Sequence, residues 1–220
     1  MRLDVEEALR YAGVRRPAEA DRQHMAGLAE RVLAAAPPRY AYRVFTVDGG
    51  GEGPVLREAG LALPGTLARR MLAGCGRAAL LVCTLGAAFD AMLREEEKRD
   101  MASAVLLDAC GSAAVEAGCA EAEKAIADRF PGLYLTDRFS PGYGDLPLTL
   151  QPRILAALNA EKRLGVHAAP SCLLTPLKTV TAAAGISPSP QPARIRGCAF
   201  CAMRESCALR KGGNTCGLEA

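Results

Sequence analysis

The residues best suited to chemistry stand together at 137–145, which read Asp-Arg-Phe-Ser-Pro-Gly-Tyr-Gly-Asp. A Pro-Gly pair reverses the chain, because proline fixes its own φ and glycine permits a positive one. The guanidinium of Arg138 offers a planar pair of donors that suits a carboxylate ligand. The segment therefore suits a small zwitterion, with Arg138 at its carboxylate and an acidic side chain at its amine. The alternative, which composition alone favours, is an ordinary surface turn that carries charges.

A second group of candidate residues lies near the C-terminus, where Cys198, Cys201, Cys207 and Cys216 follow one another closely. Four thiolates at such spacing, with glycines beside them, can surround one metal centre. The spacing matches neither a zinc ribbon nor a bacterial ferredoxin motif. Three alternatives therefore stay open: zinc as a structural staple, an iron–sulfur cluster as an electron carrier, or no metal. The other five cysteines fall in apolar segments, where we expect small buried hydrophobic residues.

The charge distribution argues against nucleic acid as a partner. Of the 27 basic and 24 acidic residues, five basic and two acidic ones lie in residues 191–220, so the rest of the chain balances at 22 each. A protein that binds nucleic acid usually carries a basic surface over its folded domain. Here the basic excess is confined to the setting of the four cysteines.

Cellular context follows from the termini and the cysteines. The first residues form no hydrophobic signal core, and the longest apolar run, residues 78–89, is shorter than the ~20 residues that span a bilayer. Cysteines in a chain without a signal favour a reducing compartment. We therefore expect a cytoplasmic protein that does not enter a membrane. No Ser-His-Asp set, His-Glu-x-x-His motif or Walker loop is present, which argues against an ordinary hydrolase.

Hydrophobic periodicity predicts an α+β fold. Helices are expected at 3–12, 17–35, 66–72, 86–129 (with a charged break at 94–100) and 149–164, the last with Thr149 as its N-cap. Strands are expected at 40–47, 78–84, near 171–175 and at 178–184, with another extended stretch at 55–63. Strands separated by runs of helices, without regular βαβ alternation, are typical of the α+β class.

The glycine-rich segment 48–54 has the composition of a nucleotide-binding loop in Rossmann-type methyltransferases. Such a loop opens directly into a helix whose N-terminus faces the ligand. Pro54 and a further extended stretch follow it here. We therefore interpret the segment as a turn between strands.

Two polar residues, Asp108 and Ser112, interrupt an apolar stripe along the helix predicted at 101–126. They either hydrogen-bond to a neighbouring element or face a ligand groove. Periodicity alone does not decide between these alternatives.

From Tyr134 to Ile186 the sequence resembles the reactivation domain of cobalamin-dependent methionine synthase. The similarity rests on Arg138 with Pro141-Gly142-Tyr143, which matches the family's R-x-x-P-G-Y, on the amphipathic stretch 155–165, and on residues 171–181, whose counterpart ends in S-V-S/T. From Glu7 onward the chain is similar to short stand-alone members with a cysteine-rich C-terminus. The resemblance implies a bent antiparallel or mixed sheet flanked by helices in one domain over residues 1–186. A Pro-rich linker and a metal-binding tail would then occupy residues 187–220.

The resemblance also implies a function. The family domain binds S-adenosylmethionine and remethylates inactive cob(II)alamin with one electron from a separate donor, such as a flavodoxin or a ferredoxin. Arg138 and Tyr143 would contact S-adenosylmethionine, and Pro141, Gly142 and Gly144 would supply backbone around it. Glu116 is the candidate for a family glutamate on the preceding helix. The chain would then be an accessory component of methionine biosynthesis without a catalytic acid or base, and its partner a corrinoid-carrying methyltransferase, foremost methionine synthase.

Two departures from the family pattern keep other hypotheses open. Ala169-Pro170-Ser171 stands where the family has T-E-S, and the aromatic pair expected after Ile186 is missing. The second hypothesis is a non-enzymatic, metal-containing module that docks on a corrinoid protein or senses its redox state. The third is an electron-transfer accessory built around the cysteine tail.

Overall fold

The computed structural model describes residues 3–191, 205–207 and 211. Within them the α-helices are α1 (Val5–Tyr11), α2 (Glu19–Ala35), α3 (Thr66–Met71), α4 (Ala87–Arg99), α5 (Met101–Arg129), α6 (Gln151–Leu158) and α7 (Ala160–Leu164). The strands are β1 (Arg39–Asp48), β2 (Val55–Leu56), β3 (Leu61–Ala62), β4 (Arg77–Thr84), β5 (Tyr134–Leu135), β6 (His167–Ala168), β7 (Leu174–Thr175) and β8 (Thr179–Ser187). Short 3₁₀ turns cover Arg57–Ala59 and Leu148–Leu150.

Six strands form one sheet in the order β3-β2-β1-β4-β8-β5, and β6 pairs with β7 separately. The pairs β1–β2, β2–β3 and β5–β8 are antiparallel. Every residue of β4 after Arg77 is buried, as expected of a central strand that is covered on both faces. The predicted α+β class is confirmed.

Contacts divide the chain into two compact units. The first comprises the chain up to Tyr42, Leu81–Ala125 and Gln151–Thr181. Its core depends on close approach to helix α5: a Cβ atom on Gly111 would come within 2.2 Å of the Phe89 ring, and one on Gly118 within 2.6 Å of Cys83 Sγ. Glycine inside a helix costs about 1 kcal/mol relative to alanine. At these two positions the lower helix propensity is accepted because only glycine allows the close packing.

The second unit comprises Arg43–Leu80, Ile126–Leu150 and the chain from Ala182 onward. Phe45 and Phe139 are among its fully buried side chains. Gly185 on β8 is packed against Cys75, whose Sγ would lie 2.6 Å from an added Cβ. This tight contact fixes the C-terminal half of β8, with which Leu135 and Phe139 pair.

Among the described residues, α5 is the one helix that is long and apolar enough to cross a membrane. Its most apolar window is 56% buried inside the protein. The core helix of a soluble protein meets the same criteria, so α5 is only weak evidence for a membrane span.

Several predicted elements differ from the observed ones. Residues 55–63 are not one extended stretch, because a 3₁₀ turn separates β2 from β3 and Gly60, with φ 54°, ends that turn. The helix predicted over 149–164 is broken at Asn159, whose φ of 50° interrupts α6–α7, and its first residues form a 3₁₀ turn. The last predicted strand, 178–184, extends to Ser187, where the Pro-rich linker was expected to begin.

Candidate functional site

The 137–145 loop belongs to the second unit and is attached upstream to β8. Leu135 pairs with Ile186, and the next paired residues are Phe139 and Ala183. The loop strand thus advances four residues while β8 advances three, so one extra residue bulges out between them. Asp137 and Arg138 lie in this bulge. Bulges change the direction in which a side chain points, and this one falls directly at the candidate carboxylate-binding arginine.

Two residues hold the bulge in place. Phe139 is fully buried, and its amide and carbonyl groups exchange hydrogen bonds with those of Ala183 at 2.9 and 2.8 Å. The Thr136 amide donates to Gly185 O at 3.0 Å, and its hydroxyl accepts from Gly185 N at 2.9 Å. The hydroxyl replaces the ladder partner that the bulge removes. Arg138 therefore lies between two fixed points of the backbone.

The turn itself uses its own backbone groups. Gly142 N donates to Leu146 O at 2.8 Å, Tyr143 N to Ser140 O at 3.1 Å and Leu146 N to Tyr143 O at 3.0 Å. Gly142 has a φ of 96°, which a residue with a Cβ rarely adopts. The amides of Gly142 and Tyr143 are thus engaged inside the loop.

The loop is attached downstream by Asp145. The carboxylate of Asp145 accepts hydrogen bonds from Thr66 N at 2.6 Å, Thr66 Oγ1 at 2.7 Å and Leu67 N at 3.0 Å, all at the start of α3. These bonds, led by the one from the Leu67 amide, lower the pKa of Asp145 to about 2. The sequence gives no local signal for this contact, because Asp145 caps a helix almost eighty residues away in the chain.

The predicted site residues of this loop therefore lie together. Pro141 is buried, whereas Gly142, Tyr143 and Gly144 are exposed, and the Tyr143 side chain is 58% accessible. Arg138 is half-buried. A guanidinium and an exposed phenol ring, five residues apart on a fixed turn, can receive a carboxylate and an extended planar or sulfonium group respectively.

Glu116, the remaining predicted binding residue, lies on α5 in the first unit and is half-buried. Its carboxylate lies close enough to Tyr11 of α1 to raise the pKa of that phenol. Burial is the largest cause of this shift, followed by the hydrogen bond and the charge of Glu7, and the pKa of Tyr11 reaches about 12. Glu116 thus lies near Tyr11 within its own unit.

Asp108 and Ser112 hydrogen-bond to a neighbouring element. Lys178 Nζ donates to Asp108 Oδ2 at 2.8 Å and to Ser112 Oγ at 2.9 Å. Both acceptors also line an open pocket of about 340 Å³. The adjacent Leu177 amide donates to both oxygens of the buried Asp90, at 3.2 and 3.1 Å. These contacts tie the turn before β8 to helices α4 and α5.

Of the four candidate metal ligands, Cys207 is described and is partly exposed. Cys198, Cys201 and Cys216 lie outside the described residues. Within the described part of the chain, no three His, Cys, Asp or Glu side chains are grouped so that they could hold a metal ion. The metal site of the tail thus stays a prediction from sequence.

Comparisons with known proteins place the fold. No protein-family model and no curated protein sequence matches this chain. Among solved structures, the crystal structure of the MetH reactivation domain bound to AdoHcy is similar, with a TM-score of 0.57 and 15% identity. The match covers 98% of this chain and 86% of that one. At this identity the likeness shows the fold alone: the chain has the architecture of the MetH reactivation domain.

Proposed function

We propose that this protein binds S-adenosylmethionine and supports the reductive remethylation of a corrinoid cofactor carried by a partner methyltransferase, foremost cobalamin-dependent methionine synthase. The observation that carries the proposal is the likeness, over nearly the whole chain, to a reactivation domain whose structure contains AdoHcy. AdoHcy is what S-adenosylmethionine becomes when it gives up its methyl group. The R-x-x-P-G-Y match at residues 138–143 gives this chain a loop of the required kind.

The loop geometry supports distinct roles for its two principal side chains. Arg138 would receive the ligand carboxylate through its planar pair of N–H donors. Tyr143 would lie against the adenosyl or sulfonium portion, for which its exposed ring is available. The backbone contribution expected of residues 141–144 is restricted, because the amides of Gly142 and Tyr143 donate within the turn.

The contribution of such a protein to the reaction is orientation. The reduced corrinoid supplies the nucleophile, and the sulfonium supplies the methyl group and the leaving group. Holding these two partners in line converts an encounter in solution into a reaction within one complex, which lowers the entropic part of the barrier. No general acid or base of this chain is needed for that step.

We further propose that Cys198, Cys201, Cys207 and Cys216 hold a metal. Four thiolates suit both zinc and an iron–sulfur cluster. A cluster would supply a route for the single electron that reactivation requires, whereas zinc would only staple the tail. Metal analysis of protein purified without oxygen separates the two, because only a cluster brings iron and inorganic sulfide.

Calorimetric titration with S-adenosylmethionine tests the binding role. We expect saturable binding to the wild-type chain and a roughly ten- to hundredfold loss in Arg138→Ala, since a charge-assisted contact contributes about 1.5–3 kcal/mol. Arg138→Lys should recover part of the affinity, because it keeps the charge and loses the planar fork. Arg57→Ala is the matched control: it removes an arginine of the same unit that pairs with Asp48 on the surface.

Unchanged affinity in Arg138→Ala would remove Arg138 from the site. If the wild-type chain binds a corrinoid methyltransferase but not S-adenosylmethionine, the docking module is the better function. The substituted Ala169-Pro170 and the missing aromatic pair after Ile186 favour that second candidate.

A further inference from the structure

We propose that Asp145 is the positioning residue of the candidate site: its carboxylate clamps the 137–145 loop onto the start of α3 and so fixes the conformation in which Arg138 and Tyr143 meet a ligand. The proposal rests on the proposed function for its ligand, S-adenosylmethionine. The contact between Asp145 and α3 is independent of any ligand, because it is seen directly in the hydrogen bonds within the second unit.

The Asp145 carboxylate and the start of α3 are matched in shape and in hydrogen bonding. Three donors reach the two carboxylate oxygens of Asp145: two backbone amides and the Thr66 hydroxyl. The receiving surface is shaped for it, because a Cβ on Gly65 would come within 2.6 Å of Asp145 Oδ1. Gly65 also has a φ of 101°, which aims the following amides at the carboxylate. A side chain at position 65 would displace Asp145.

The clamp holds the part of the turn that is most exposed, residues 142–145. Upstream, Phe139 is buried and paired with β8. Between Ser140 and Leu146 the backbone bonds run within the loop, and Tyr143 and Asp145 are exposed. Asp145 is the first residue after the bulge whose side chain bonds to another helix. A loop that visits its binding conformation only part of the time binds more weakly by that fraction.

The contact with α3 also excludes one acidic group from binding the amine of a zwitterionic ligand. All three donors at α3 are satisfied by Asp145, and the lowered pKa keeps that carboxylate ionised and engaged at neutral pH. The sequence suggested that an acidic side chain of the loop meets the ligand amine. Asp145 is engaged by α3, so its carboxylate is not the group that meets the ligand amine.

The chain contains a closely matched control. Asp100 accepts from two backbone amides and one hydroxyl, those of Ala102 and Ser103, at the start of α5. Asp145 and Asp100 therefore make the same set of bonds, but Asp100 caps the helix that follows it and belongs to the first unit. Loss of a cap should lower the melting temperature in both Asp145→Ala and Asp100→Ala. Only the loss of Asp145 should affect the loop.

The experiment compares wild type, Asp145→Ala, Asp145→Asn and Asp100→Ala by two readouts. Hydrogen exchange of the amides at 142–146 reports the loop directly, and calorimetry with S-adenosylmethionine reports the site. We expect about tenfold faster exchange and about tenfold weaker binding in Asp145→Ala, with Asp100→Ala like wild type in both. Asp145→Asn keeps one acceptor oxygen and should fall between them.

Hydrogen exchange tests the contact between Asp145 and α3, whereas calorimetry tests its effect on ligand binding. Wild-type exchange in Asp145→Ala and Asp145→Asn would overturn the clamp whether or not the ligand binds. Faster exchange with unchanged affinity would make Asp145 merely structural and overturn its positioning role. Failure of wild type to bind S-adenosylmethionine would overturn the ligand half of the proposal together with the proposed function, while the exchange result would still decide the clamp.

Discussion

Lys178 Nζ lies 2.8 Å from Asp108 Oδ2, and this ion pair joins the residue before β8 to the middle of α5. The Lys178 side chain is 17% exposed and that of Asp108 49%, so the ammonium is the more buried partner. Ser112, one turn further along α5, accepts a second bond from the same ammonium at 2.9 Å. The two polar residues that interrupt the apolar stripe of α5 thus both bind the ammonium of Lys178.

Removing Asp108 should destabilise the protein, because the ammonium of Lys178 would keep its burial and lose its charged partner. We expect Asp108→Ala to lower the free energy of unfolding by about 1–2 kcal/mol, and Lys178→Met in the same background to recover part of it. Urea denaturation of the single and double variants measures the coupling. The exposed Lys98–Glu95 pair is the control, since solvent screens it and Glu95→Ala should destabilise the protein much less than Asp108→Ala. An Asp108→Ala cost equal to that of Glu95→Ala would contradict the structural role of the pair.

Gly142 should resist substitution on conformational grounds alone. An alanine there must adopt φ 96°, and its Cβ would lie 3.2 Å from Leu148 Cδ2. We expect Gly142→Ala to destabilise by about 1–2 kcal/mol and to weaken ligand binding by displacing the neighbouring Tyr143. Gly49→Ala is the control, because nothing lies within 4 Å of its added Cβ. Equal effects of the two changes in thermal unfolding would show that the turn relaxes without strain.

Local patterns in the sequence were sufficient to predict most of the elements and the Pro-Gly turn. The helix at Glu19–Ala35, the strand at Arg39–Asp48 and the short helix at Thr66–Met71 all follow from periodicity and breakers. The glycine-rich segment 48–54 leads into β2 rather than a helix, as its Pro54 indicated. What periodicity missed depends on tertiary contacts. Asn159 interrupts a helix although its neighbours favour one. Met101 and Val105, two apolar residues of the helix predicted at 101–126, are exposed.

The site itself was predictable only in part, for the same reason. Arg138 to Gly144 could be singled out because they are adjacent in sequence. The bulge at Asp137 and Arg138 could not, since it is a property of how two strands pair. Nor could the capping of α3 by Asp145, because the sequence between residues 66 and 145 contains nothing that specifies it. A local motif identifies candidate residues, but contacts between segments far apart in the sequence determine their geometry.

The clamp at Asp145 should make stability depend on acid. Its folded pKa, about 2, is below the usual 3.8, so the folded state binds fewer protons in that range. The stabilisation is therefore present above the unfolded value and is lost as pH falls from about 4 toward 2. We expect Asp145→Asn to be less stable than wild type at pH 6 and the difference to shrink across this window, as followed by urea midpoints. A difference independent of pH would show that the carboxylate is not preferentially ionised in the fold.

Tyr11 should titrate late, and its titration reports the position of Glu116. Its pKa of about 12 means that the fold retains the neutral phenol, so stability should fall as pH rises from about 10 toward 12. Ultraviolet titration should show one phenol ionising above the rest, and Tyr11→Phe should abolish that step. Glu116→Gln should lower this pKa by removing a nearby negative charge, though by less than Glu7→Gln, which also replaces a charged hydrogen-bond acceptor by a neutral one. No change in Glu116→Gln would place Glu116 away from α1.

Cysteine reactivity should divide the thiols by burial and test the tail for metal in one measurement. Cys75, Cys83, Cys110 and Cys119 are buried, and burial raises the pKa of Cys110 to about 11, which leaves little thiolate at neutral pH. Cys172 and Cys207 are partly exposed. We expect iodoacetamide to modify Cys172 promptly and to leave the four buried thiols unmodified in native protein, as located by peptide mass spectrometry.

If the tail holds a metal, Cys207 should be protected as isolated and become reactive after chelation or oxidative loss of the cluster, while Cys172 reacts equally in both samples. Prompt modification of Cys207 in protein purified without oxygen and with its metal retained would exclude it as a ligand, because a coordinated thiolate is not available to the reagent.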